Sequence, residues 1–365
     1  MSLRGEYSVH AEDRHQAILR RLQKDGALRV TDFAAELGVS PVTVRRDVES
    51  LADRGLVARV HGGAVFPERW AETAPANARP SPEARSRERR ERPVGMIVPS
   101  ATYYYPEVIK GAREAAAAHN IRLILDISNY RADVERTQAD QMVADGVEGL
   151  LIVPSEPQGW HESLPVPTVL VERRSDFSTA GALDHVVSDH VHGARMAVRH
   201  LVEAGRQRIA LLVRGTSPTA PRVVEGFEAA VRAEGLEVLR PASVFDIGNW
   251  PPESPEYDCQ FKQLLDAAAD RRVDAVVAHP DNEALTLLRR LRERSLSAPD
   301  DVAIVAYDDE VAALADTPLS AVAPAKHEVG VCAVELLSRR LDRPDGPRHQ
   351  LFVLPQLRVR SSSST

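Results

Sequence analysis

Cysteine is nearly absent: Cys259 and Cys332 are the only two in 365 residues. Their spacing matches no metal-binding pattern, and two thiols cannot staple a chain of this size, so a disulfide scaffold and a zinc module are excluded. Both are expected as small, reduced core or surface thiols. No apolar run approaches the ~18 residues of a membrane span. The opening MSLRGEYSVHAEDRH has no apolar signal core, so cytoplasmic residence is expected. Lysine is scarce too, four against 42 arginines, which reads as coding bias. There is no P-loop, no Gly-x-Gly-x-x-Gly, no Gly-x-Ser-x-Gly and no His-Glu-x-x-His. A regulator or binding protein without a cofactor is therefore expected rather than an enzyme. His185, Asp189, His190 and His192 suggest a metal cluster, but His190 and His192 are two apart and diverge on a helix.

What is present points to two or three domains, because 365 residues exceed one ordinary domain and 43% hydrophobic content can fill sizeable cores. Charge is uneven. Residues 1–70 carry 11 basic and 10 acidic side chains, and 71–93 carry 6 and 4, whereas the remainder carries 29 and 39. A nucleic-acid contact therefore belongs to the front end.

Residues 1–66 read as a helical unit with a hairpin. Asp13 and Gln16 have the spacing of a capping box for a helix over about 14–24, with Ile18, Leu19 and Leu22 on one face. A short extended piece around Arg29 leads to a helix at about 31–37, which Gly38 stops. Ser40 is placed to cap a third helix at 41–53, and Pro41 suits its first position. Val44, Val48 and Leu51 face inward there; Thr43, Arg45, Arg46 and Ser50 face outward. Leu56–Val60, a His61-Gly62-Gly63 turn and Ala64-Val65 form the hairpin. A short helix, a tight turn and an Arg-bearing helix suit the major groove, where Arg reads guanine or grips phosphate. A protein-binding three-helix module with a solvated Arg face is the alternative at this point.

The segment VTDFAAELGVSPVTVRRDVESLADRGLVARVHGGAV resembles the DNA-binding domain of DeoR-type regulators. The resemblance spans about residues 14–66. It implies a winged helix-turn-helix with 41–53 as recognition helix. It makes Ser40, Thr43, Arg45, Arg46, Ser50, Arg59 and His61 the candidate DNA contacts. Asp47 is expected to order Arg45 or Arg46, since a carboxylate repels phosphate. Residues 67–92 read as a Pro- and Arg-rich linker. Ser81-Pro82-Glu83 and Pro93 bracket a short stretch able to turn helical when docked or DNA-bound.

From residue 93 strands and helices alternate. Strands are predicted near 94–98, 121–125, 149–153, 168–171, 208–213, 273–277 and 302–306. Helices are predicted at about 106–118, 133–145, 190–204, 222–234, 259–271, 281–294 and 326–341. Apolar strands between helices mean parallel sheets covered on both faces, here in two lobes, with a ligand beyond the carboxyl ends of the strands. Those ends carry Tyr103, Tyr104, Tyr105, Glu172, Arg173, Arg174, Arg214, Arg222, Asp281, Asp308 and Asp309, with Trp250 in a loop. Aromatic rings cover the C–H face of a sugar, and Asp and Arg bond its hydroxyls. Each residue also has a plainer reading: Asp281 and Asp309 as helix caps, and one or two Tyr and Trp250 as core.

Residues 93–355, through stretches such as VADGVEGLLIVPS, DAVVAHPDNEALTLL and DDVAIVAYDD, resemble the sensor domain of LacI/GalR-type repressors, a fold shared with periplasmic sugar-binding proteins. The resemblance implies two Rossmann-like lobes, three crossovers, a cleft ligand and a homodimer. Its cleft residues fall on Tyr103–Tyr105, Arg173, Arg222, Trp250, Asp281 and Asp308. Arg222 departs from the family spacing, and Pro280-Asp281 replaces an Asn-Asp step. The expected whole is a hybrid: residues 1–66 a DeoR-type head, 67–92 a linker, 93–365 a LacI-type sensor. It would bind operator DNA as a dimer and let go on meeting a sugar-like effector. An activator, a co-repressor-dependent regulator, an exported sugar-binding protein and a sugar-acting enzyme are the alternatives.

Overall fold

In a computed structural model, residues 11–53, 57–60, 62–65, 91–156, 160, 164–173, 183–236 and 243–364 are described. The chain divides into two compact units, Met1–Arg89 and Arg90–Thr365. His61, the linker residues 67–90 and Arg174 lie outside the described residues, as does the side chain of Arg59.

In the first unit, α1 (Ala11–Asp25), α2 (Val30–Leu37) and α3 (Pro41–Asp53) surround a three-stranded sheet. Helix α1 already includes Asp13, so Asp13 lies inside the helix and does not cap it. Gly38 ends α2 at φ 66°, a left-handed conformation that costs an L side chain energy. The sheet order is β1 (Ala27–Arg29), β3 (Gly63–Val65), β2 (Ala58–Val60), all antiparallel. Gly63 is required here, because a Cβ would stand 2.0 Å from the Leu28 carbonyl oxygen. Ile18, Leu22, Phe33, Val44, Val48, Leu51 and Ala64 form one buried core.

The second unit holds two six-stranded sheets. The first is wholly parallel, in the order β14 (Gln350–Val353), β8 (Asp184–Ser188), β7 (Thr168–Val171), β6 (Gly149–Ile152), β4 (Arg92–Val98), β5 (Ile121–Ile127). The second runs β10 (Val244–Asp246), β9 (Ile209–Val213), β11 (Ala275–His279), β12 (Ala303–Tyr307), β13 (Ser320–Ala323), β15 (Gln356–Arg358), with only β15 antiparallel. Among the described residues its α-helices are α4 (Tyr105–Ala118), α5 (Ala132–Ala144), α6 (His190–Glu203), α7 (Ala220–Ala233), α8 (Pro255–Ala269), α9 (Asp281–Glu293) and α10 (Lys326–Asp342). Their bounds lie within a few residues of the predicted ones. Five strands escape the apolar-run criterion: β8, β10, β13, β14 and β15. Asp184 and His185 interrupt the first, and the others are short. Pro93, expected to stop a linker helix, instead pairs with Arg122 within β4, and Arg92 opens that strand.

The chain changes lobe three times. It passes from β8 to α6 through Asp189, from β13 to α10 through Pro324 and Ala325, and from β14 to β15 through Leu354 and Pro355. Helix α10 thus returns to the first lobe and packs on α4, where Gly111 and Gly330 meet reciprocally. A Cβ on either would come within 2.0 Å of the other helix's backbone oxygen. Separate apolar clusters fill each lobe: Val94, Met96, Leu151 and Val169 with α4 and α10 in the first, and Leu211, Val277, Val305 and Phe227 in the second. Burial of such side chains contributes about 25 cal/mol per Å² of apolar surface and holds each lobe rigid.

Candidate functional site

The recognition helix is built by its own first turn. Ser40 Oγ accepts from the Thr43 amide at 3.1 Å and meets Thr43 Oγ1 at 2.8 Å, which satisfies one of the orphan N–H groups at the start of α3. Arg45 and Arg46 are exposed, and Ser50 is half-buried. Asp47 does not order either arginine. It is buried and accepts from Arg14 Nε at 2.8 Å and Nη2 at 3.0 Å, with His15 Nε2 at 3.4 Å, tying α1 to α3. The helical period explains the correction, since position 47 falls on the inward stripe of Val44, Val48 and Leu51. Val42, 56% exposed at the second position of the helix, is an apolar side chain on the outer face that the polar pattern did not single out.

In the second unit the strand ends converge between the lobes. Tyr103, held at φ 58°, donates a short hydrogen bond from the first lobe to Asp281 Oδ1 in the second. Asp281 is fully buried, and its Oδ2 accepts from the amides of Glu310, Val311 and Ala312 at 2.6, 2.7 and 3.2 Å. It therefore caps the 3₁₀ turn Ala312–Leu314 rather than its own helix α9, which follows Pro280. Asp309, the other cap candidate, is bound to Arg358 and Arg360.

Tyr104 donates to Glu172 Oε1 at 2.8 Å, and the Lys326 ammonium lies 5.0 Å from its ring centre. Tyr105 is buried in the wall of the first lobe; its hydroxyl accepts from Arg173 Nη2 at 3.0 Å. Arg173 also donates a short bond to the Pro154 carbonyl and lies 5.6 Å from the Tyr130 ring centre. Burial pushes all three hydroxyls well above the ordinary tyrosine range, and neighbouring carboxylates push those of Tyr103 and Tyr104 further, so they stay protonated donors.

Asp308 is buried at φ 86°. Burial raises its carboxyl to about 7; Lys326 opposes the rise, and Asp281, Glu310 and Glu172 add to it. Lys326 donates to the Asp308 carbonyl at 2.6 Å and to Glu310 by a short bond. Arg222 lines a cavity of about 360 Å³ together with Glu172, Ser188, His190 and Thr219, and is paired at 2.7 Å with Glu225. A second cavity, about 500 Å³, is lined by Asp308, Glu310, Lys326 and Arg358. Trp250 lines neither; it is 38% exposed, with its ring over Gly248.

Sequence reasoning missed Lys326 and His190 as cleft residues and named Glu172 only as a strand-end residue. Lys326 follows a crossover rather than a strand end, and His190 looked like a metal candidate. Among the described residues no group of three or more His, Cys, Asp or Glu side chains is arranged to hold a metal ion. No helix among them is long and apolar enough to cross a membrane.

Comparison with known proteins agrees with this architecture. Residues 14–69 match the DeoR-like helix-turn-helix domain, and residues 198–363 match the periplasmic binding protein-like domain. The chain is 24% identical over 345 residues to the arabinose metabolism transcriptional repressor of Geobacillus stearothermophilus, covering 91% of this chain and 90% of that protein. It is 26% identical over 283 residues to the ribose operon repressor of Escherichia coli, covering 74% and 82%. A LacI family transcriptional regulator from Enterococcus faecium with bound ribose superposes with a TM-score of 0.60 at 23% identity, over 75% of this chain and 99% of that one. The fold and the head define a ligand-sensing, DNA-binding transcriptional regulator. The chain joins a segment that matches the DeoR-like helix-turn-helix domain to one that matches the periplasmic binding protein-like domain.

Proposed function

We propose that this regulator is a cytoplasmic homodimeric repressor of carbohydrate-utilisation genes, released from operator DNA by a neutral sugar held between its lobes. The observation that carries this reading is the 360 Å³ cavity, which residues of the first lobe (Glu172, Arg173) and of the second (Thr219, Arg222) line together. A molecule bound there touches both lobes, so its affinity depends on their arrangement. Only such differential affinity can move a DNA-binding equilibrium, typically by about 1–3 kcal/mol. Two heads of a dimer would engage half-sites about 34–36 Å apart if those lie one helical turn apart. Arg45 and Arg46 would read bases or hold phosphate, Val42 would meet a thymine methyl, and Arg59 and His61 of the wing would add backbone contacts. Tyr103, Tyr104, Trp250, Asp281 and Asp308 are the further effector candidates. A regulator without turnover fits the relatives, which are repressors.

The test is selection of an operator from genomic fragments, followed by fluorescence anisotropy with a panel of neutral monosaccharides. Release by at least one sugar, at unchanged salt, is expected. No specific fragment, or a specific fragment that no sugar releases, sinks the reading; sugar consumed by the purified protein would return the enzyme alternative.

A further inference from the structure

The end of the first lobe opposite the cleft carries a basic pocket. Strand β4 starts at that end with Arg92, where the chain arrives from the helix-turn-helix, and the carboxyl ends of the parallel strands lie at the other. Helix α10 finishes beside this entry, since Arg92 Nη1 donates to Asp342 Oδ1 at 2.9 Å. The loop after α10 is wrapped on Arg340, which is buried. Its Nε and Nη2 donate to Asp184 at 2.7 and 3.1 Å. Its Nη1 donates to the carbonyls of Pro344 and Gly346 at 2.9 and 2.7 Å, and its Nη2 to that of Pro347 at 2.7 Å. The His349 amide donates to Asp184 Oδ1 at 2.7 Å and closes the loop. A cavity of about 250 Å³ is left, lined by Arg339, Arg340, Arg343, Gly346, Pro347 and His349.

The charges around this cavity are unbalanced. Asp184 is neutralised by Arg340, with Arg348 at 3.3 Å as well. Arg339 and Arg343 stand exposed one helical turn apart, and among the described residues neither has a carboxylate partner. Asp342, between them in sequence, is engaged with Arg92; Glu335 and Asp345 are the other acidic side chains of this stretch. Residues 94–365 as a whole carry 29 basic and 39 acidic side chains, so a cavity edged by free arginines runs against the charge of the unit around it. Two like charges on one cavity repel, and an anion between them relieves the repulsion. A basic last turn also complements the helix dipole. That accounts for either arginine alone, and not for a cavity that both line with Arg340 and His349.

We propose that this pocket holds a phosphate of the DNA backbone, so that the sensor unit itself grips the duplex whose bases the recognition helix reads. Guanidinium groups hold phosphate oxygens by charge-assisted hydrogen bonds, and Arg339 and Arg343 have theirs to give. The chain's own connectivity selects the occupant. Residues 67–90 join this end of the lobe to the helix-turn-helix, so a duplex bound by the head is tethered to the lobe and meets the pocket at a raised effective concentration. A free anion of the same charge has no such advantage. The contact is indifferent to base sequence and sensitive to salt, as phosphate contacts are. It adds affinity and fixes register without touching the effector cleft. The inference rests on DNA binding and is independent of the sugar-effector reading.

The experiment uses the full-length protein and a fluorescent duplex of about 40 base pairs and arbitrary sequence, because a phosphate contact needs no particular bases. Anisotropy titrations across a potassium chloride series compare wild type with two double variants, Arg339→Gln/Arg343→Gln and Arg339→Lys/Arg343→Lys. Losing one phosphate contact should flatten the slope of log affinity against log salt by about 0.9 per protomer and weaken binding about tenfold at the lowest salt. The Lys variant keeps the charge and should keep the slope. Both side chains are exposed, so melting temperatures should match wild type. A Gln variant with the wild-type slope and affinity, or a Lys variant as flat as the Gln one, overturns the proposal. So does a pocket that serves another anion: inorganic phosphate or a phosphoserine peptide would then raise the melting temperature of wild type and not of the Gln variant, with DNA binding equal in both. Arg45→Gln on the same duplex reports separately on α3. A wild type that binds no duplex at any salt would defeat DNA binding itself, and the pocket's role with it.

Discussion

The recognition helix and the cleft use polar residues in opposite ways. On α3, Arg45 and Arg46 stand exposed, and the buried Asp47 is spent on holding α1. In the cleft nearly every charged group already has a protein partner: Asp281 has three backbone amides and Tyr103, Arg173 has Tyr105 and Pro154, and Lys326 has Glu310. A DNA contact can therefore be made by adding interactions to a finished scaffold. A cleft ligand must exchange with interactions that already join the lobes. Exchange is what a sensor needs, because a ligand that only added contacts to an unchanged arrangement would shift no equilibrium.

The contrast predicts different consequences for similar substitutions. The largest effect is expected at Asp281. Asp281→Ala leaves the amides of Glu310, Val311 and Ala312 and the Tyr103 hydroxyl without their acceptor in a buried setting. It should destabilise the second unit by about 3–5 kcal/mol, the scale of losing one partner from a buried charged network. Urea unfolding of the full chain measures it. A loss under about 1 kcal/mol, with ligand response abolished, would make Asp281 a ligand group first and a cap second.

The next effect is confined to binding. Arg46→Ala should weaken operator affinity by about 1–3 kcal/mol with relaxed preference at one base, if it reads that base. Arg45→Ala should weaken all sequences more evenly and lower the salt slope, if it grips phosphate. Neither should change the melting temperature, because both side chains are exposed. Wild-type affinity for both variants would remove α3 from the groove and would erase the contrast with the cleft.

The same contrast explains what was legible in the sequence. Helix starts and stops carry local chemistry, so Ser40-Pro41 and Gly38 placed α2 and α3 correctly, and long apolar runs placed β4, β9, β11 and β12. Pairings between residues far apart leave no local trace. Nothing near Asp47 announces Arg14, 33 positions away, and nothing near Asp281 announces the 3₁₀ turn or Tyr103, 178 positions away. The strand-end rule brought the right segments to the cleft without saying which side chains were already taken. Tyr105 and Asp309 are spent internally. The edge strands β14 and β15 stayed hidden because they are short and follow one another through Leu354 and Pro355 rather than alternating with a helix.

A pH series offers the smallest effect and the finest probe of the cleft. His279, at the end of β11, is 1% exposed; its Nε2 meets Thr219 Oγ1 at 3.0 Å. Burial, with the nearby His190 adding, lowers its pKa to about 3. An unfolded histidine titrates near ~6.5. The folded state thus binds fewer protons below that pH, and the stability His279 contributes is full above ~6.5 and is lost as pH falls toward about 3. Asp308 runs the other way. Its unfolded carboxyl titrates near ~3.9, and its folded one near about 7. Its contribution is full below ~3.9 and is lost as pH rises through about 7. Between roughly pH 4 and 6.5 the two slopes oppose, each at most about 1.4 kcal/mol per pH unit. Wild-type stability would conceal both, and differences from single variants would expose them. On acidification from pH 6.5 to 4.5, His279→Gln should lose less stability than wild type. On raising pH from 4.5 to 7, Asp308→Asn should lose less. Urea midpoints across this range give both differences. A His279→Gln profile parallel to wild type would mean that position 279 is as wet as the recognition helix. A parallel Asp308→Asn profile would mean that the Lys326 ammonium, rather than burial, governs that carboxylate, leaving it ionised and ready to accept a hydroxyl at neutral pH.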